Sequence, residues 1–250
     1  MLRPLGIALQ FLTRLPVQLS RPPEPLELGQ SLLWYPVVGL LLGLLLCGLD
    51  AGLSGGVPSP LRAGLLLAVW VWLTGALHLD GLADSADAWI GGRGERERML
   101  TIMKDPHAGP GATSAIVTVL LLKFAAIEAI PSTRGIDLLL PPFLARAAMP
   151  ALFACTPYIR IDGIASAHAA HLPRRAATAA VLASLGFALV TFGVLGATAI
   201  AAATLCFVAL RAWLVRRLGG TTGDTAGAMI ELIEASVLIA IGCRLSSAAT

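Results

Sequence analysis

The stretch Ala63-Gly-Leu-Leu-Leu-Ala-Val-Trp-Val-Trp-Leu-Thr-Gly-Ala-Leu-His-Leu79 contains no charged side chain and runs directly into Asp80-Gly-Leu-Ala-Asp84-Ser-Ala-Asp87. An apolar run of this length is typical of a membrane-spanning helix. If the helix continues through the acids, their i, i+4, i+7 spacing puts three carboxylates on one face. Adjacent anions repel one another, and acids at the edge of a membrane span are functional by default, so this cluster is the first candidate site.

The composition of the whole chain supports the same class. Hydrophobic residues make up 56% of the 250 residues and charged residues only 13%, with a mean hydropathy of +0.80, whereas a soluble domain carries about 25% charged residues. We therefore expect an all-α, polytopic integral membrane bundle forming one domain over 1–250, with about seven transmembrane helices and a range of roughly six to eight. The predicted spans are 32–50, 61–79, 112–131, 136–156, 177–195, 197–214 and 226–243.

The basic residues between the spans are distributed unevenly, which predicts the orientation. With the N-terminus inside, twelve lie on the inner side and three on the outer side. This places the acidic cluster and the whole loop 80–110 in the cytoplasm. The net charge of +3 then reflects topology, and it gives no support for a nucleic-acid partner. The first 16 residues suit an amphipathic segment at the membrane interface.

A second candidate site follows the acids. Residues 94–103 predict a short amphipathic helix, and Lys104-Asp105-Pro-His107-Ala-Gly109-Pro-Gly111 is a glycine-flanked turn that opens into the next span. Helix N-termini bind anions, and a neighbouring lysine adds a point charge for phosphate. We therefore predict a phosphate site at Lys104 and Asp105, with Arg14 and Arg98 as further cations.

The third candidate is Leu218-Gly-Gly220-Thr-Thr222-Gly-Asp224, which leads into the last span with Glu231 and Glu234. The three acids lie at i, i+7 and i+10, again on one helical face. Two glutamates in a membrane helix need partners. The partners are either the buried cations Lys123, Arg146 or Arg211, or a metal shared with the first cluster. Two weaker metal candidates, His168 and His171, lie three residues apart in a loop.

Two acidic helix faces and a basic glycine turn on one membrane side suggest metal-assisted phosphoryl transfer. Mg²⁺ prefers carboxylates together with substrate phosphates, and it neutralises the charge that develops during in-line attack. We expect Mg²⁺ to be held by Asp80, Asp84, Asp87 and Asp224. Asp84 or Asp87 is the expected general base, with His78 as an alternative.

Five motifs occur in the same order as in the cobalamin synthase family, also called adenosylcobinamide-GDP ribazoletransferases. They are Phe11-Leu-Thr-Arg-Leu-Pro16, Tyr35-Pro-Val-Val-Gly39, Gly75-Ala-Leu-His-Leu-Asp-Gly-Leu-Ala-Asp-Ser-Ala-Asp87, Met103-Lys-Asp105 and Gly219-Gly-Thr-Thr-Gly-Asp224. The resemblance implies a multi-pass, Mg²⁺-dependent inner-membrane enzyme at the last stage of cobalamin biosynthesis. It implies that adenosylcobinamide-GDP and α-ribazole, or α-ribazole 5′-phosphate, are joined to give adenosylcobalamin, or its 5′-phosphate, and GMP.

In this interpretation the substrate and its phosphates contact Lys104, Asp105, Arg14, Arg98, Gly220, Thr222, Glu231 and Glu234. Two other functions are considered: a lipid enzyme like the CDP-alcohol phosphotransferases, and an ion-coupled transporter. The acids cluster on one side of the membrane and not at its midplane, which weakens the transporter. The glycine-rich helix faces would permit a homo-oligomer.

Overall fold

The computed structural model describes residues 2–160 and 164–249, and within these ranges the chain is helical. One isolated parallel bridge, between Tyr158 and Thr221, is the only β pairing in the described part. The predicted all-α class is confirmed. The helices are α1 Leu2–Leu12, α2 Pro25–Ser31, α3 Tyr35–Leu53, α4 Ser59–Thr74, α5 Leu77–Gly91, α6 Arg96–Ile102, α7 Pro110–Glu128, α8 Leu140–Cys155, α9 Ile164–Ala170, α10 Arg174–Leu218 and α11 Gly223–Ala249, with 3₁₀ segments Leu32–Trp34 and Ser132–Leu139.

Several of these helices are long and apolar enough to cross a membrane. Among the described residues there are five such segments, or six if the bent pair α4 and α5 forms one span. The five are Pro25–Leu53, Pro110–Glu128, Ser132–Cys155, Arg174–Leu218 and Gly223–Ser247. The chain is therefore a multi-pass membrane protein, as predicted.

Helix α10 accounts for two predicted spans. Its 45 residues would extend about 68 Å as one helix, twice the thickness of the hydrocarbon core. Gly193 interrupts it with φ 54° and ψ −125°. On one side of this break Phe187 packs against Phe143 in the first turn of α8. On the other side Arg211 bonds to the carbonyl of Cys155 at the last turn of α8, so the two halves of α10 run in opposite directions. With each half counted as one pass there are six passes, or seven if the bent pair α4 and α5 forms one span.

The predicted span 61–79 falls on the bent pair α4 and α5, because the helix breaks inside it. Gly75 and Ala76 both adopt left-handed backbone conformations, with φ 62° and 57°, and the axes of α4 and α5 differ by 88°. A left-handed alanine costs about 1–2 kcal/mol, so surrounding contacts must maintain the bend. The acids consequently lie on a helix that crosses the end of the bundle, instead of prolonging the span.

The break and the starts of α7 and α11 meet at one end of the bundle. Helix α11 lies against α5, α7, α8 and α10. Helix α5 approaches α11 most closely at Gly81, since a Cβ there would lie 2.5 Å from the carbonyl oxygen of Asp224. The N-terminal helix α1 also belongs to this end, where Ala8 and Leu12 are fully buried in the core.

Candidate active site

Arg14 packs against the break between α4 and α5. Its backbone N–H donates to the carbonyl of Leu73, 2.7 Å away, and its side chain lies over Gly75. A Cβ at Gly75 would come within 2.9 Å of Cγ and Cδ of Arg14. A side chain at position 75 would have to displace this arginine and would also have to adopt the left-handed backbone of Gly75. Arg14 itself is exposed beside the start of α5.

The three aspartates of α5 have different surroundings, although the predicted helix through them is confirmed. Asp80 is exposed and lines a cavity. Asp84 is partly buried and feels the negative charges of Asp80, Asp224 and Asp87, with Arg160 opposing them. Neither Asp80 nor Asp84 forms a hydrogen bond or an ion pair with any described residue, so both carboxylates have free ligand positions.

Asp87 differs, because both of its oxygens are used within the protein. Oδ2 accepts from the N–H of Gly109 at 2.6 Å and Oδ1 from the N–H of Ala112 at 2.9 Å. These N–H groups belong to the first turn of α7, where an anion is favoured by the helix dipole. Gly109 and Gly111 make room for the carboxylate, since a Cβ on either would lie 2.8 Å from Oδ1.

This contact changes the interpretation of the predicted phosphate site at the Lys104 turn. The N-terminus of α7 already holds an anion, the carboxylate of Asp87. Lys104 is exposed on the surface, as is Arg98 on α6. Asp105 accepts from the backbone N–H and the Nδ1 of His107, and these bonds lower the pKa of the Asp105 carboxyl. The turn is thus ordered by its own residues.

A polar cavity of about 350 Å³ lies between the start of α5, the start of α11 and the segment after α8. Its polar lining includes His78, Asp80, Tyr158, Arg160, His168 and Asp224. Of the predicted acids, the cavity brings together Asp80 of the first cluster and Asp224 of the third. It does not include Asp84, Asp87 or the Lys104 turn among its lining residues.

Arg160 and Asp224 form an ion pair at this cavity, with Nη1 and Oδ2 separated by 2.8 Å. Two backbone hydrogen bonds hold the chain on both sides of the pair: Ile159 N–H donates to Thr221, and Thr221 N–H donates to Pro157. Burial raises the pKa of the Tyr158 hydroxyl beside them. The segment after α8 is thereby fixed against the loop that starts α11.

Gly220 and Thr222, predicted to contact substrate, have roles within that loop. Both are buried. Gly220 packs against the segment after α8, where a Cβ would lie 2.6 Å from the Ile159 side chain. The Thr222 hydroxyl accepts from the N–H of Thr225 at 3.2 Å. These residues place Asp224 at the cavity without lining it themselves.

His78 is a deeply buried polar group of the cavity wall. It is 3% exposed, and neither of its ring nitrogens has a hydrogen-bond partner in the described structure. Burial, followed by the positive charge of Arg146, lowers the pKa of this imidazole to about 3, so the ring is held in its neutral form. A buried imidazole with both nitrogens unsatisfied can exchange a hydrogen bond or a proton with a bound ligand.

Glu231 and Glu234 are paired with buried cations below the cavity and do not line it. Lys123 Nζ lies 2.5 Å from a carboxylate oxygen of each, and Arg146 pairs with Glu234. All four side chains are almost completely buried, and two acids balance two bases. Of the alternatives left open by the sequence, the structure therefore favours internal pairing over substrate contact. Arg211 bonds to Cys155 and Thr156 instead.

The carboxylates at this cavity suit a magnesium ion whose coordination is completed by a substrate. No group of three or more His, Cys, Asp or Glu side chains in the described ranges is arranged to hold a metal by itself. Mg²⁺ characteristically uses one or two carboxylates together with water and substrate phosphates. The free carboxylate of Asp80, with Asp224 on the same cavity and Asp84 near both, supplies donors of that kind.

Arg160 and Tyr158 are cavity residues that the sequence analysis did not select. Both follow directly after the end of a span. The positive charge of Arg160 at that position was the feature of the sequence from which this part of the site could have been predicted. The predicted histidine pair does not act as a pair. His168 lines the cavity, whereas His171 is exposed and bonds to its own helix.

Comparison with known proteins identifies the family. The sequence profile of the cobalamin-5-phosphate synthases matches residues 4–242. A protein of Pseudomonas fluorescens Pf-5 named adenosylcobinamide-GDP ribazoletransferase is 55% identical over 239 residues, covering 95% of this chain and 98% of its own. One of the same name from Pseudomonas putida KT2440 is 54% identical over 243 residues, covering 97% and 99%. No solved structure matches the chain. The chain belongs to the cobalamin-5-phosphate synthase family.

Proposed function

We propose that this protein joins adenosylcobinamide-GDP to α-ribazole, or to α-ribazole 5′-phosphate, and releases GMP. The family membership over residues 4–242 and the name shared by relatives that are more than half identical support this reaction. The oxygen of a free ribose hydroxyl of the ribazole forms a bond to the phosphorus that carries the cobinamide. The 5′-oxygen is not this nucleophile, because in α-ribazole 5′-phosphate it is already esterified and the product keeps that phosphate. The bond from that phosphorus to the GMP oxygen breaks, and the hydroxyl proton leaves to a base.

One structural observation supports placing this reaction at the polar cavity. Asp80, Asp224, Arg160 and His78 meet around a single cavity, although they are distant in sequence. Phosphoryl transfer depends mainly on positioning and on charge stabilisation, so it needs anionic metal ligands and a cation for phosphate at the same place. The cavity supplies both, together with an unsatisfied imidazole.

Asp80 and Asp224 are the proposed magnesium ligands, and Asp84, which lies near both but does not line the cavity, stays a prediction. Asp87 is left out of this set because both of its oxygens cap α7. When bound, Mg²⁺ would neutralise charge on the diphosphate. The role of Asp87 is to position α7 and the end of α5 relative to one another.

Arg160 is the proposed phosphate ligand at the cavity. Its pair with Asp224 is only partly buried, with side-chain exposures of 32% and 20%. Such a pair is weak enough to be exchanged for stronger charge-assisted bonds to a diphosphate. Arg14, Arg98 and Lys104 lie exposed around this end of the bundle and stay predictions as outer phosphate contacts.

His78 is the proposed general base for the ribazole hydroxyl. Of the three candidates, Asp87 is occupied at α7, and Asp84 does not line the cavity, whereas His78 does. Its two unpartnered nitrogens provide an acceptor at the buried side of the cavity. A base must come within hydrogen-bond reach of the proton that it removes, which His78 satisfies for a hydroxyl bound deep in the cavity.

The orientation with the N-terminus and the cavity on the cytoplasmic side of the inner membrane is part of the proposal. It is supported by the positive-inside distribution, because the basic-rich segments meet at the end of the bundle that carries the cavity. Substrates then enter from the cytoplasm. A homo-oligomer stays a prediction.

The test is an assay of the purified protein with Mg²⁺, adenosylcobinamide-GDP and α-ribazole. We expect release of one GMP for each cobalamin formed. CDP-diacylglycerol should give no product, and proteoliposomes should show no substrate-independent ion flux. Product from CDP-diacylglycerol, or flux without GMP release, would contradict the proposal in favour of the lipid enzyme or the transporter.

A further inference from the structure

A second pair of cavities lies further along α5, towards its C-terminal end, and takes no part in the proposed reaction. An apolar groove of about 560 Å³ runs between α5, α7, the second half of α10 and α11. A smaller basic pocket of about 270 Å³ is lined by Arg93 and Arg217. Trp89 and Trp213 line both, so the groove and the basic pocket are continuous.

The basic pocket carries positive charge that the described protein does not neutralise. Neither Arg93 nor Arg217 forms an ion pair or a side-chain hydrogen bond with a described residue, and both are exposed. The surrounding segments 92–99 and 214–218 contain five arginines and two glutamates. An anion with several acceptor oxygens, such as a phosphate, complements this charge.

The groove beside it belongs to a surface that faces lipid. Trp89 and Ile90 at its rim are 64% and 66% exposed. Helix α7 continues the apolar surface with exposed Val117 and Leu121. The rings of Trp89 and Trp213 meet edge to face, 5.9 Å apart, at the boundary between the apolar and the basic regions. Tryptophan is enriched at this depth of a membrane protein, where an acyl chain meets its headgroup.

We propose that the groove and the basic pocket together bind one anionic phospholipid. The phosphate lies between Arg93 and Arg217, the Trp89–Trp213 pair marks the level of the glycerol, and an acyl chain occupies the groove. A free phosphate would use only the basic pocket, and the continuity with a large apolar groove favours an amphiphile. This site is separate from the polar cavity of the proposed transferase reaction, with which it shares no lining residue.

Native mass spectrometry of the detergent-purified protein tests this site. The added probes are phosphatidylglycerol, phosphatidylcholine, inorganic phosphate and GDP. We expect one tightly retained phosphatidylglycerol for each chain and much weaker retention of phosphatidylcholine. The double variant Arg93→Gln/Arg217→Gln should weaken phosphatidylglycerol binding about thirty-fold, because each basic residue near an anionic lipid raises the affinity roughly five-fold.

Two further variants separate the acyl groove from general effects of charge. Ala209→Trp fills the groove and should also release the lipid while leaving both arginines in place. The control Arg174→Gln/Arg175→Gln removes two exposed arginines that line neither cavity, and it should bind as the wild type does. The proposal would be overturned if the control lost as much binding as the test variants, or if both test variants bound phosphatidylglycerol as the wild type does. It would also be overturned if phosphatidylcholine were retained equally well, or if millimolar phosphate or GDP displaced the lipid.

Discussion

The guanidinium of Arg160 lies 2.8 Å from the carboxylate of Asp224, which joins the segment after α8 to the first turn of α11 at the wall of the polar cavity. The pair joins the proposed phosphate ligand, Arg160, to Asp224, a proposed magnesium ligand. Asp80 and Asp84 lie on the neighbouring helix α5. The negative charges around the cavity therefore come from α5 and α11, and the positive charge comes from the segment after α8. The first prediction concerns this arginine.

Replacing Arg160 by glutamine should weaken binding of the GDP-bearing substrate. Hydrogen bonds to charged groups contribute about 1.5–3 kcal/mol, so we expect GDP affinity to fall and the KM of adenosylcobinamide-GDP to rise by about ten- to a hundred-fold. The KM of α-ribazole should change little. Titration calorimetry with GDP measures the binding directly, and Arg174→Gln is the matched control. Wild-type GDP affinity in Arg160→Gln would remove this residue from the site.

Replacing Asp87 by alanine should act on stability. The substitution removes both acceptors from the first turn of α7, and we expect a loss of about 2 kcal/mol in the free energy of unfolding. Asp84→Asn, three residues earlier on the same helix, should lose activity with no comparable loss of stability. Denaturant titration of the two variants separates the roles. If Asp87→Ala were as stable as the wild type, the capping role would be contradicted.

The buried cluster of Lys123, Glu231, Glu234 and Arg146 should be sensitive to the loss of a single charge. Lys123→Met leaves one glutamate without compensation, so we expect a loss of about 3–5 kcal/mol in the free energy of unfolding. The double variant Lys123→Met/Glu231→Gln restores neutrality and should recover part of that loss. A double variant no more stable than Lys123→Met would show that packing, and not charge balance, dominates here.

Gly75→Ala should destabilise the bend between α4 and α5. Alanine strains the left-handed backbone and also collides with the Arg14 side chain, so we expect a loss of more than about 1 kcal/mol. Gly52→Ala is the control, because a Cβ at that helical position meets nothing within 4 Å, and it should be neutral or stabilising. Thermal unfolding of both variants measures the difference. Equal stability of the two variants would mean that the bend does not depend on glycine.

Much of the fold follows from local sequence. Apolar runs of span length predict most of the membrane helices, and the acidic spacing correctly predicts that α5 is helical through Asp87. The break at Gly75-Ala76 was missed because alanine gives no turn signal and tertiary contacts, including Arg14, hold the conformation.

The site was harder to predict because spacing specifies a helical face but not its neighbour. Asp80, Asp84 and Asp87 share one face, yet Asp87 meets the start of α7 while Asp80 meets the cavity. Arg160 lies 64 residues from Asp224, and nothing local connects the two. Likewise, Glu231 and Glu234 find Lys123 across the bundle, a choice that the sequence left open.

The magnesium dependence of GMP release tests the central claim most directly. Asp80→Asn and Asp224→Asn, each compared with the control Glu128→Gln at the exposed C-terminal end of α7, should lower turnover by at least about a hundred-fold, as expected when preorganised charge at a reacting phosphate is lost. Residual activity should require more Mg²⁺ for half-saturation, whereas Glu128→Gln should keep the wild-type magnesium profile. Near-normal turnover with unchanged magnesium dependence in both test variants would contradict the assignment of the cavity as the active site.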